Sequence, residues 1–135
     1  MEDGYAALEQ DHRDIEEHVQ ELLRDDESPV VRELGELLVR HFQREEAALH
    51  PLVRRYVDGG DDLADRAVAE HATIATMMAE LSDSATPERM GALLADLGGA
   101  IAAHVEFVEA EVFPAMQSCA VDGAQLGRTL EGIEH

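Results

Sequence analysis

The 135-residue chain has no tryptophan, no lysine and a single cysteine. The lone Cys119 excludes an internal disulfide framework and a cysteine-built zinc site. Without lysine, ten arginines face thirty aspartates and glutamates, a formal charge of −20. Ordinary nucleic-acid binding needs a basic face against phosphate, and this balance excludes it. The same charge disfavours an anionic membrane surface. Aromatic residues make up only 4% of the chain, so aliphatic side chains must fill the core. No apolar run reaches the roughly 18 residues that a bilayer span requires, so no span is expected. The acidic start, Met1-Glu2-Asp3-Gly4-Tyr5, lacks the basic and apolar regions of a signal peptide. One domain with a cytoplasmic location is the expectation.

Turn chemistry cuts the chain into four long pieces. The breakers are Asp25 to Pro29, Asp58 to Asp62, and Ser82 to Pro87. Ser28-Pro29 and Thr86-Pro87 each read as an N-cap followed by proline at the first helical position. In the middle breaker, glycines stop one helix and aspartates are expected to cap the next. Between breakers the apolar period is three to four, as in Leu8, Ile15, Val19 and Leu22 or Leu94, Leu97, Ile101 and Val105. The fold expected is all-α: an antiparallel up-down-up-down four-helix bundle over residues 1–118. Residues 119–135 are expected to be a short C-terminal tail with at most a short helix. Pro51 and Pro114 fall late in the second and fourth helices and should kink or end them.

Polar residues interrupt every apolar stripe. His12 lies between Leu8 and Ile15, His41 and Glu45 between Leu37 and Leu49, His71 between Ala67 and Ile74, and His104 between Ile101 and Val108. That is one inward histidine per helix with at least one inward carboxylate. Burying such a set costs several kcal/mol, order of magnitude, unless something pairs with it. A metal cation supplies the missing charge. Counting residues from a common end levels His12, His41 and His71, but leaves His104 deeper by about 8 Å at the helical rise. An internal repeat adds to the pattern. His41 with Glu46 at plus five and Pro51 at plus ten matches His104 with Glu109 and Pro114.

With these residues the sequence resembles the hemerythrin-like family, also called the HHE cation-binding domain. The carrying positions are His12, His41-x3-Glu45, His71 and His104-x4-Glu109, within about Leu8 to Ala115. Ala75 stands where oxygen carriers of the family have a second histidine on the third helix, so the resemblance is nearer to four-histidine bacterial members. It implies two iron ions with an oxo or hydroxo bridge, held by His12, His41, Glu45, His71, His104 and Glu109. Six ligands cannot saturate two octahedral ions. Known members carry oxygen, sense oxygen or iron, respond to nitric oxide, or decompose peroxide. The expectation is reaction with dioxygen or peroxide, with catalase-like peroxide decomposition as the enzymatic form. The alternative is an oxygen, nitric oxide or iron sensor without turnover. Dioxygen, peroxide and nitric oxide are the expected small ligands, and no protein partner follows from the sequence.

Other candidates are weaker. Glu46 is off the line of Glu45 by face-counting. His18 and His50 lie off the stripes and are expected in solvent. Tyr56 continues the stripe and would reach a metal if the Pro51 kink folded it back. Glu16 and Glu111 share faces with His12 and His104 and are possible additional partners. Met77, Met78 and Met116 are expected to fill core gaps.

Overall fold

The computed structural model describes residues 3–24, 30–83 and 86–133. The structure is all-helical, and no strand occurs among the described residues. The elements are α1 (Gly4–Arg24), α2 (Val30–Arg44), α3 (His50–Tyr56), α4 (Gly60–Ser82), α5 (Pro87–Phe107), α6 (Phe113–Ser118) and α7 (Gly123–Ile133). A π-helical turn, Glu45–Leu49, joins α2 to α3, and a second, Val108–Val112, joins α5 to α6. Backbone angles stay right-handed helical through both junctions, so each pair is one continuous rod.

The prolines account for the two π turns. Pro51 and Pro114 occupy the start of α3 and α6. Proline has no N–H, and its ring crowds the carbonyl four residues back. In the π turn the His50 N–H reaches back five residues to the Glu45 carbonyl, and the Phe113 N–H to that of Val108. The wider turn takes in one extra residue and relieves the clash without breaking the rod. The proline effect therefore includes a register shift of one residue at each junction. After Glu45 the buried positions are Ala48, Leu49, His50 and Val53. Tyr56, expected on the stripe, is exposed, and His50, expected in solvent, is buried.

Thr86 caps α5 as expected, its hydroxyl accepting from the Arg89 N–H at 3.2 Å. The Ser28-Pro29 cap lies outside the described residues. Gly59, with φ of 72°, precedes α4 with no side-chain cap, and Asp61 and Asp62 fall in its first turn instead of capping it. There they complement the positive end of the helix dipole. Glycine is needed next door at Gly60, where a Cβ would run into the Val53 carbonyl.

Residues 121–133 do not form a loose tail. Helix α7 packs on α1, and Val121, Leu126 and Leu130 join Tyr5, Leu8 and Phe113 in one apolar cluster. Tyr5 Oη donates to the Val121 carbonyl at 2.6 Å and ties the segment down. A second cluster is built from Ile15, Val19, Leu34, Leu38, Ile74, Leu97, Ile101 and neighbours. The α5–α6 rod, Glu88–Ser118, is long and apolar enough by composition to cross a membrane, unlike the expectation from uninterrupted runs. Its apolar side chains Leu94, Leu97, Ile101, Val105, Val108 and Val112 are spent on the two clusters. Along each long helix the two clusters meet at a polar position: His12, His41 with Glu45, His71 and His104.

Candidate metal centre

Five polar side chains converge in that polar layer with almost no exposure. His12 and Glu45 are fully buried, and His41, His71 and His104 are at most 5% exposed. They form two triads that share one carboxylate: His12, His41 and Glu45, and Glu45, His71 and His104. Glu45 Oε1 lies 3.2 Å from His41 Nε2, 3.0 Å from His71 Nε2 and 3.2 Å from His104 Nε2. Glu45 Oε2 faces His12 Nε2 at 3.9 Å. His71 Nε2 and His104 Nε2 are 3.1 Å apart. The depth expected for His104 by residue counting is therefore wrong; it stands level with His71.

The outer ring nitrogens explain which way the imidazoles face. His12 Nδ1 is 2.6 Å from Glu109 Oε2, His41 Nδ1 is 2.9 Å from Asp11 Oδ2, and His104 Nδ1 is 2.6 Å from Glu70 Oε1. A carboxylate only accepts, so each Nδ1 carries the proton and donates, which leaves the Nε2 lone pair pointing inward. Glu46 stands 3.8 Å from His71 Nδ1, too far for a hydrogen bond, and that nitrogen is buried without a partner. Three of these carboxylates are anchored in turn by arginine: Asp11 by Arg44 at 2.7 Å, Glu109 by Arg13 at 2.9 Å, and Glu70 by Arg66 at 3.1 Å. Carboxylates placed behind imidazoles in this way fix ring orientation and raise ligand basicity.

The contacts follow the internal repeat. The acidic residue before each histidine on α1 and α4, Asp11 and Glu70, holds the histidine of the next rod, His41 and His104. The plus-five glutamate of each rod, Glu46 and Glu109, reaches back to His71 and His12. The two halves differ at the centre, where Glu45 in one corresponds to Val108 in the other. Both are fully buried.

Lone pairs that face one another without a donor repel. His12 Nε2, His41 Nε2 and Glu45 Oε2 are buried without a hydrogen-bond partner. An unmet buried polar group costs about 1–3 kcal/mol, more if charged. The set is consistent only with positive charge among the acceptors. Protons supply some of it in the metal-free protein. Burial opposes charging of His41, but Glu45 and Asp11 raise it to about 9. His104 is raised against burial by Glu45 and Glu70. His12 is lowered, by burial first and then by the His41 charge. Burial works against Glu45 ionising, yet the surrounding histidines hold it well below the ordinary glutamate range. An imidazole and carboxylate donor set suits a first-row transition metal, and the inward orphaned atoms fit such an ion.

Glu109 thus sits outside both triads, on the rear nitrogen of His12, and not among the donors where the sequence reading puts it. Val108, four residues after His104, faces inward by ordinary helical spacing, and Glu109 falls to the flank. Ala75, read as a vacated ligand position, is exposed. Tyr56 is 40% exposed beside Arg55. Glu16 pairs with Arg13, and Glu111 faces Arg66, both at the surface. His18 is half-buried and donates from Nδ1 to the Asp14 carbonyl at 2.8 Å. His50 is 4% exposed and stacks on His71 with centroids 5.5 Å apart. Burial pushes its pKa down to about 4.

A void of about 10 Å³ lies over the centre, lined by His12, His41, Phe42, Ile74, Ile101 and His104. It admits little more than one water-sized group. Phe42 stacks on His71 at 3.9 Å on one side and borders an open apolar groove of about 580 Å³ on the other.

A helical bundle with a buried layer of histidines around a shared carboxylate defines a metal-binding bundle protein. The family model for the hemerythrin HHE cation-binding domain matches residues 3–116. The chain belongs to that family, whose members bind metal ions, typically iron. No curated protein and no solved structure matches it.

Proposed function

We propose that the protein is a cytoplasmic di-iron protein that reacts with dioxygen or peroxide, built as an up-down-up-down antiparallel four-helix bundle. The observation that carries this reading is the sharing of Glu45 by two histidine triads, which suits two ions joined by one carboxylate and an oxo or hydroxo bridge. Two irons supply redox chemistry and open coordination positions when bound. The chain's own residues do the rest. His12 and His41 would hold one ion and His71 and His104 the other, with Glu45 available to both. Asp11, Glu70 and Glu109 hold the imidazole protons of His41, His104 and His12 at Nδ1, so those three Nε2 atoms stay available. Ile74, Ile101 and Phe42 keep the void dry and small, which favours a diatomic or peroxide over an organic substrate.

The activity proposed is disproportionation, in which two hydrogen peroxide molecules give one dioxygen and two waters. With three donors in each triad, six-coordinate ions keep free positions on both sides of Glu45. The test is metal analysis and the optical spectrum of iron-loaded protein, followed by oxygen evolution on adding peroxide. Two irons per chain with oxygen evolution are expected. A stable, reversible oxygen adduct without peroxide turnover would replace this reading with a sensor or carrier.

A further inference from the structure

His50 is the first residue after the π turn, and no feature of the apolar pattern marks it. The extra residue in that turn brings its ring inside, 4% exposed, with its plane 22° from that of His71. Its Nε2 has no hydrogen-bond partner. Around the ring are Leu49, Val53, Ala64, Ala67 and Val108, none with a side-chain donor or acceptor. The cavity they enclose has no volume for a water-sized probe, so a trapped water does not satisfy the nitrogen from that side. The charged and titratable groups within electrostatic reach are Glu45, His71, Arg54 and His104. Three of those four form the second triad.

We propose that His50 is a further metal ligand, a third histidine for the ion held by Glu45, His71 and His104. Ala67 lies one turn before His71 on the same face of α4, and it is buried. A second α4 histidine would occupy that position. Alanine stands there instead, and His50 of the neighbouring rod lines the same small cavity as Ala67. The ring lies outside the tight triad, so engagement requires it to turn about its side-chain bonds toward the ion. Val108, the counterpart of Glu45, leaves that side of the centre without a second carboxylate, and His50 is the buried nitrogen beside it. The donor count becomes unequal, with two histidines on the first ion and three on the second.

The inference rests on the metal-centre reading, and one experiment separates the two. Metal-free protein is titrated with Co2+, as wild type and as His50→Phe, an apolar replacement of similar volume. Wild type should bind two ions. The variant should bind one as before and the other at least about tenfold more weakly. Its metal-free form should melt no lower than wild type, because an orphaned buried nitrogen is gone. In cobalt-loaded wild type, the His50 ring protons should be paramagnetically shifted as strongly as those of His71. Two unchanged affinities in the variant, or unshifted His50 protons in wild type, would overturn the proposal. Failure of wild type to bind Co2+ would overturn the metal-centre reading itself.

Discussion

Replacing Glu45 with glutamine keeps the shape of the centre and removes its shared charge. The size of the effect can be worked from His41. That imidazole titrates at about 9 in the fold against 6.5 when free. At 1.36 kcal/mol per pH unit, this is on the order of 3 kcal/mol of net attraction for one positive charge, after desolvation. Glu45 is the largest attractive contributor and Asp11 the next. Loss of about 2 kcal/mol for a single charge is roughly thirtyfold in binding, and a divalent ion is attracted more strongly. Glu45→Gln should therefore weaken both metal sites by at least about thirtyfold, because both triads use this carboxylate. Glu46→Gln is the control. Glu46 is 44% exposed and 3.8 Å from the rear nitrogen of His71. Residues one apart are rotated by about 100° on a helix. It should change affinity by no more than about threefold, as exposed charge pairs do. Titration of both metal-free variants with Fe2+ under anaerobic conditions measures this. The reasoning fails if Glu45→Gln binds as wild type does, or if Glu46→Gln is the variant that emerges without metal.

The metal-free protein should show a stability maximum near pH 6.5. His41, raised to about 9, contributes stability that is complete below 6.5 and is lost as pH rises through 9. His50, lowered to about 4, acts in the other direction, and its contribution is lost as pH falls from 6.5 through 4. Urea melts across pH 4 to 10 test this. Metal loading should flatten the alkaline limb, since the ion replaces the proton on His41. Glu70→Gln leaves His104 Nδ1 with a weaker acceptor and should reduce metal affinity by about 10–100-fold while helix content stays unchanged. An unchanged affinity would remove Glu70 from the support of the centre.

The helical stripes are legible in the sequence because burial repeats every three to four residues. His12, His41, Glu45, His71 and His104 are legible because each is polar at an apolar position. What lies beyond Glu45 is not, since an ideal helix count carries no extra residue. The same shift that exposes Tyr56 buries His50, and prolines ten residues after His41 and His104 are the available signal for it. The reading of Ala75 as a lost ligand fails for a related reason. Spacing from His71 offers two positions, Ala67 a turn before it and Ala75 a turn after, and only Ala67 is buried. Asp11 and Glu70 look like ordinary surface acids in a chain with thirty of them. Their role depends on which helices are neighbours, and local sequence does not contain that. The segment after Cys119 is weakly periodic because it buries few residues. Its docking is decided by Gly4, where any Cβ would collide with Leu126.

The repeated contacts around the centre bear on how such a chain is assembled from parts. A single half, α1 through the first π turn, would rebuild all four carboxylate–histidine contacts if it paired with a copy of itself. It could not rebuild the centre. Positions 45 and 108 would then be the same residue, giving two shared carboxylates or none. One shared carboxylate, with different surroundings on its two sides, requires halves that differ, as Glu45 and Val108 do in this chain. In the di-iron reading proposed above, that difference would make the two ions distinguishable, so that an incoming ligand would meet a preferred side.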